Sequence, residues 1–76
     1  MDYRTNDTWF VASLLTYGLR YAAMDQKDSK QVYFVFVETP DFQTAFSMYY
    51  QGTLNVPALQ FKESYKQILN LVKNGR

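Results

Sequence analysis

Seventy-six residues with a formal net charge of +1 bound a single domain, with no field strong enough to steer it to nucleic acid or to a membrane. Cysteine and histidine are both absent, which removes disulfides, thiolate metal sites, the commonest metal ligand and the commonest general base. A chain this small buries only about 60% of its unfolded surface, so an aromatic-rich core (18% Phe, Trp and Tyr) or a partner chain must supply the stability.

The charge is unevenly placed. Residues 1–41 carry a net of −2, and residues 42–76 a net of +3 from Lys62, Lys66, Lys73 and Arg76 against Glu63. No basic-then-apolar leader opens the chain, so an intracellular, cytoplasmic protein is expected. Asn6-Asp7-Thr8 matches a glycosylation sequon, read as chance without a secretion signal.

Met1-Asp2-Tyr3-Arg4 is a short polar start, either frayed or added to a sheet edge. Thr5-Asn6-Asp7-Thr8 then opens a helix: Thr5 or Asn6 can cap the first free amides, and Asp7 suits the positive first turn. The helix runs through Trp9 to Tyr17. Phe10, Leu14 and Tyr17 share one stripe, and Val11 and Leu15 share the next. Gly18 is its natural stop. Leu19-Arg20-Tyr21-Ala22-Ala23-Met24 alternates and reads as a strand, followed by the polar loop Asp25–Lys30.

Gln31-Val32-Tyr33-Phe34-Val35-Phe36-Val37-Glu38 is the central strand. Its six inner residues are all β-branched or aromatic, types that fit a pleated, packed surface. Val32, Phe34 and Phe36 point one way and Tyr33, Val35 and Val37 the other, and a strand covered on much of both faces is expected. Thr39-Pro40-Asp41 starts a second helix, with Thr39 as cap and Pro40 where its missing N–H costs nothing. Phe42, Ala45, Phe46 and Tyr49 form its stripe, and Gly52 closes it. After the extended linker Thr53-Leu54-Asn55-Val56, a last helix runs from Pro57 or Ala58 to Asn74. Ala58, Phe61, Tyr65, Ile68, Leu69 and Val72 make its apolar face, and Gly75 marks its end.

The order is helix, strand, strand, helix, helix: an α+β domain with an antiparallel hairpin packed against helices. A lone hairpin leaves two open edges, so a homodimer is expected, by edge pairing or by helix packing across a two-fold axis. Asp2-Tyr3-Arg4 or Thr53–Val56 as a third strand is the monomeric alternative.

Taken together, Thr5-Asn6-Asp7 opening a Leu/Ala-rich helix, Leu14-Leu15-Thr16-Tyr17-Gly18 closing it, Phe34-Val35-Phe36 in the second strand, and Gly52-Thr53-Leu54-Asn55-Val56 before a Phe- and Lys-containing last helix resemble a known pattern. It is that of an uncharacterised family of short bacterial and mobile-element proteins, classed as a domain of unknown function. The resemblance implies a shared architecture and a phage or integrated-element origin. It carries over no functional residue.

Catalysis has little to work with. No two of Asp2, Asp7, Asp25, Asp28, Glu38, Asp41 and Glu63 have a spacing that helix or strand geometry would bring together for acid–base work or metal binding. Ser13, Ser29, Ser47 and Ser64 have no histidine to activate them. Gly18, Gly52 and Gly75 are isolated helix stops, not a phosphate loop. The expectation is a non-catalytic protein-interaction or accessory regulatory module without a cofactor. Trp9, Tyr33, Met48 and Tyr50 are the candidate partner-binding residues, because Tyr and Trp bury large area at interfaces for little entropy. The alternative is a nucleic-acid-binding protein that uses Lys62, Lys66, Lys73 and Arg76 on phosphates, with an exposed aromatic residue stacking on bases.

Overall fold

In a computed structural model, which describes residues 2–28 and 31–74, the strand β3 (Gln31–Val37) lies in the middle of a three-stranded antiparallel sheet. Its neighbours are β1 (Asp2–Thr5) and β2 (Ala23–Asp28), in the order β1-β3-β2. The helices are α1 (Thr8–Tyr17), α2 (Pro40–Gln51) and α3 (Ala58–Asn74). The expected α+β hairpin-and-helices architecture holds, with one strand added in front of it. Asp2 pairs with Val37, Tyr3 with Phe36 and Thr5 with Phe34, so the N-terminal segment takes the sheet-edge role and covers the free side of β3.

The first hairpin strand is displaced from where alternation put it. It begins at Ala23 and runs through Asp28, into the stretch expected as a loop. Leu19, Arg20 and Tyr21 form no strand. Gly18 takes a left-handed conformation at φ 120°, and the amides of Gly18 and Leu19 return to Leu14 O, so the chain needs these residues to climb from helix to sheet. The alternation there records core packing instead: Leu19 and Tyr21 sit against the core, with the Tyr21 ring 5.1 Å from that of Phe34. The ladder starts when Ala22 N–H donates to Val35 O at 2.7 Å. Pairing with β3 then carries the polar Asp25-Gln26 segment as strand against its weak propensity.

Local chemistry explains the helix ends. Asp7 itself is the N-cap of α1, its carboxylate accepting from the amides of Trp9 and Phe10. Thr5 and Asn6 do other work: Thr5 Oγ1 accepts from Asp7 N–H, and Asn6 donates to Gln31 Oε1. Thr39 caps α2 by accepting from Phe42 N–H at 3.1 Å, with Pro40 in the first turn. Gly52, at φ 78°, closes it. Pro57 O accepts the first bond of α3, from Phe61 N–H.

The core lies on one face of the sheet. Val32, Phe34 and Phe36 are buried among Phe10, Val11, Leu14, Phe42, Ala45 and Ile68, drawn from all three helices. The opposite face is not covered to the same degree: Tyr33 and Val35 are half-buried and Val37 is 49% exposed. With three short helices stacked on one side, none remains for the other. Five consecutive α1 residues, Phe10 to Leu14, are buried, because α1 lies among the sheet, α2 and α3. Leu14, Phe34 and Phe36 are fully enclosed as expected, but Phe46 and Phe61 are only half-buried. Phe61 lies in the first turns of α3, beside the exposed start of α1, and Phe46 packs on the half-buried Tyr3.

The edges are defended by charge. β1 carries Asp2 and Arg4, and β2 reads Ala-Met-Asp-Gln-Lys-Asp; charged, short strands discourage pairing with another sheet. Edge pairing is expected of a lone hairpin with two open edges; here β1 covers one side of β3, and β1 and β2 are the edges.

Candidate interaction surface

Helix α3 divides into three stripes at helical spacing. Phe61, Tyr65, Ile68 and Val72 face α1, and Ile68 alone among them is fully buried. Leu59, Lys62, Lys66, Leu69 and Lys73 run along one flank, all exposed. Ser64, Gln67 and Leu71 run along the other. With Ile68 the one enclosed residue of α3 among those described, the helix is held mainly by a single seam.

At the start of that seam stands Trp9. Its ring centroid is 5.4 Å from that of Tyr65 and 6.4 Å from that of Phe61, and the latter two rings stack nearly parallel. Trp9 nonetheless remains 60% exposed, and Leu59 is 70% exposed. An exposed first turn lets the indole lie on the seam without being enclosed. Lys62, Lys66 and Lys73 make no ion pair; the one salt bridge among the described residues joins Arg4 and Asp25. Arg76 lies outside the described residues.

The other residues singled out from the sequence lie in separate settings. Tyr33 is on the open sheet face, under the Arg4 guanidinium at 3.8 Å, with its hydroxyl donating to Gln31 Oε1. Met48 is half-buried on α2. Tyr50 is 58% exposed, with its ring 4.8 Å from Phe46 and 5.0 Å from Tyr49. Among the described residues no ring contact joins Trp9, Tyr33 and Tyr50 to one another. The residues that sequence reasoning missed are Leu59 and Leu69. Both were legible as apolar positions beside the lysines of α3, but Leu69 was assigned to the buried stripe and Leu59 was left out of it.

Near Tyr50 the aromatic cluster shifts two phenols. Burial raises Tyr49 above its ordinary 10.0, helped by the Asp7 carboxylate. Burial also raises Tyr50, with further contributions from Tyr3, Asp7 and Tyr49. Both shifts favour the neutral ring.

The described residues contain no group of three carboxylates or other ligands that could hold a metal ion. Asp7 is committed to capping and Asp25 to Arg4. No helix among the described residues is long and apolar enough to cross a membrane.

A three-stranded antiparallel sheet under three helices on one face, with an aromatic seam and a leucine–lysine flank, defines a small α+β domain. The chain belongs to the family Domain of unknown function (DUF5659), whose model matches residues 1–74. No curated protein and no solved structure matches it.

Proposed function

We propose that this is a small non-catalytic interaction domain, and that the outer flank of α3 with Trp9 is its working surface. The observation that carries the reading is the exposure of Leu59 and Trp9, 70% and 60%, beside three lysines with no carboxylate partner. Large apolar side chains held in contact with water on a rigid seam, rimmed by charge, are what interfaces are built from. The chemistry of the rim selects the partner: an apolar surface bordered by Asp and Glu, which the lysines complement. A role as an accessory or regulatory module follows from binding of this kind without catalysis.

A photo-crosslinking residue placed at position 59 or 69 tests this in cells. Adducts with one discrete acidic protein are expected from both positions, and none from position 51 on α2. They should be lost when Lys62 and Lys66 are both changed to Glu. Equal labelling from position 51 would sink the assignment of the surface.

The second reading, nucleic acid, is favoured by the same unpaired Lys62, Lys66 and Lys73 beside the rings of Trp9 and Tyr65. Three phosphate contacts give modest affinity that salt erases. A mobility shift at about 50 mM salt with single- and double-stranded probes checks it, the lysine variants serving as control.

Self-association belongs to this flank too. Two copies of α3 packed across a two-fold axis cover Leu59 and Leu69 but set lysine against lysine. Such a homodimer is weak at low salt and tightens as salt screens the repulsion.

A further inference from the structure

The opposite flank of α3 borders a cleft of about 550 Å³, within the size range of small-molecule sites. It opens between Leu15 near the end of α1, the Arg20-Tyr21 connection, and the second half of α3. Leu15, Tyr21 and Ile68 give it an apolar wall. Its polar residues are Ser64, Gln67 and Asn70 from α3, Arg20, and Tyr21 through its hydroxyl.

Those polar groups are uncommitted. Ser13 and Thr16 on α1 turn their hydroxyls back to the carbonyls of Trp9 and Ala12, whereas Ser64, Gln67 and Asn70 make no side-chain hydrogen bond among the described residues. Among the described residues the Arg20 side chain has one hydrogen bond, a long one of 3.5 Å to the carbonyl of its own neighbour Leu19. Among the described residues no Asp or Glu lines the cleft. One positively charged side chain, several neutral hydrogen-bonding side chains and an apolar wall therefore border one space.

We infer that this cleft binds a small organic carboxylate with an apolar or aromatic body. The single guanidinium matches one negative charge and can grip it through two parallel N–H···O bonds. A phosphate dianion needs more cations than the one present. Ser64, Gln67 and Asn70 supply further donors, and the body of the ligand lies on Tyr21, Leu15 and Ile68. Ser64, Gln67 and Leu71 lie on the other flank of α3 from the leucines and lysines, with Asn70 at the border, so the site is tested separately from the interaction surface.

Amide correlation spectra of the labelled protein, titrated with 3-phenylpropanoate, its primary amide and inorganic phosphate, test this. The carboxylate is expected to shift Tyr21, Ser64 and the side-chain amides of Gln67 and Asn70. The neutral amide and the phosphate should bind about tenfold or more weakly, and Arg20→Gln should weaken the carboxylate by a similar factor, since a charge-assisted bond is lost. Arg20 is exposed, and the spectrum itself reports whether the variant is folded. No response at the cleft up to about 10 mM carboxylate, a concentration at which even fragment-level affinity is visible, overturns the inference. So does equal binding of the amide or the phosphate, or an affinity unchanged in Arg20→Gln.

Discussion

Arg4 and Asp25 meet across the middle strand of the sheet, Nε to Oδ2 at 3.0 Å. One lies on β1 and the other on β2, and the guanidinium crosses above the Tyr33 ring between them, 3.8 Å from its centroid. The open sheet face is thus braced by a charge pair and a cation–π contact in place of a covering helix. Both side chains are more than a third exposed, so solvent screens much of the attraction. Arg4→Met should cost about 1 kcal/mol or less. Chemical denaturation at low and high salt checks this: the difference between wild type and variant should shrink with salt.

Phe34 occupies the centre of β3 with no exposed surface. Phe34→Ala should cost about 3–5 kcal/mol, a large share of what a domain this size possesses. Phe46→Ala, at a half-buried position, should cost clearly less. Thermal melts of the two variants rank them; an unchanged melting temperature for Phe34→Ala would contradict its place in the core.

What was legible in the chain was what local chemistry decides. The β-branched and aromatic run of β3 makes a strand in any setting, Thr39-Pro40 starts a helix by capping, and Gly18 and Gly52 end helices because each needs a positive φ. What was not legible depended on distant partners. Asp2–Thr5 has no strand signature of its own and becomes β1 because β3 offers it a free side. Asp25 and Gln26 are strand only because they pair with β3. Asp7, Thr5 and Asn6 are all competent caps, and tertiary contacts decide among them: Asn6 is drawn to Gln31, leaving Asp7 at the helix. For the candidate surface, Trp9 and the lysines could be read from helical position. The exposure of Leu59 and Leu69 could not, since it depends on how little of α3 the seam with α1 covers.

The raised phenols of Tyr49 and Tyr50 make the protein sensitive to base. A raised pKa means the folded state favours the neutral form, so this contribution is fully present below the ordinary value of 10.0 and is lost as pH climbs past it. Melting temperature should therefore fall above that pH. A Tyr49→Phe, Tyr50→Phe double variant keeps the rings and removes the titration, so its alkaline decline should be shallower. Phenolate absorbance in the wild type should show late titration at Tyr49 and Tyr50 that the variant lacks.

The last prediction separates self-association from binding to an anionic partner, because the lysines of α3 act with opposite sign in the two. A partner rimmed with carboxylates or phosphates is attracted by Lys62, Lys66 and Lys73, so salt weakens that complex. A second copy of α3 is repelled by the same groups, so salt strengthens the pairing while burial of Leu59 and Leu69 drives it. β1 and β2 present charged edges, so pairing through the sheet does not compete. Light scattering at hundreds of micromolar should give a mass near the 9.0 kDa of one chain at low salt and move toward twice that as salt is raised. Leu59→Glu, which places a carboxylate on the axis-facing flank, removes apolar contact and inserts charge opposite the partner's lysines. It should weaken the dimer at high salt, where the apolar term dominates, and weaken it less at low salt, where the new carboxylate offsets repulsion. A mass that stays at one chain under every condition would rule out self-association through this flank.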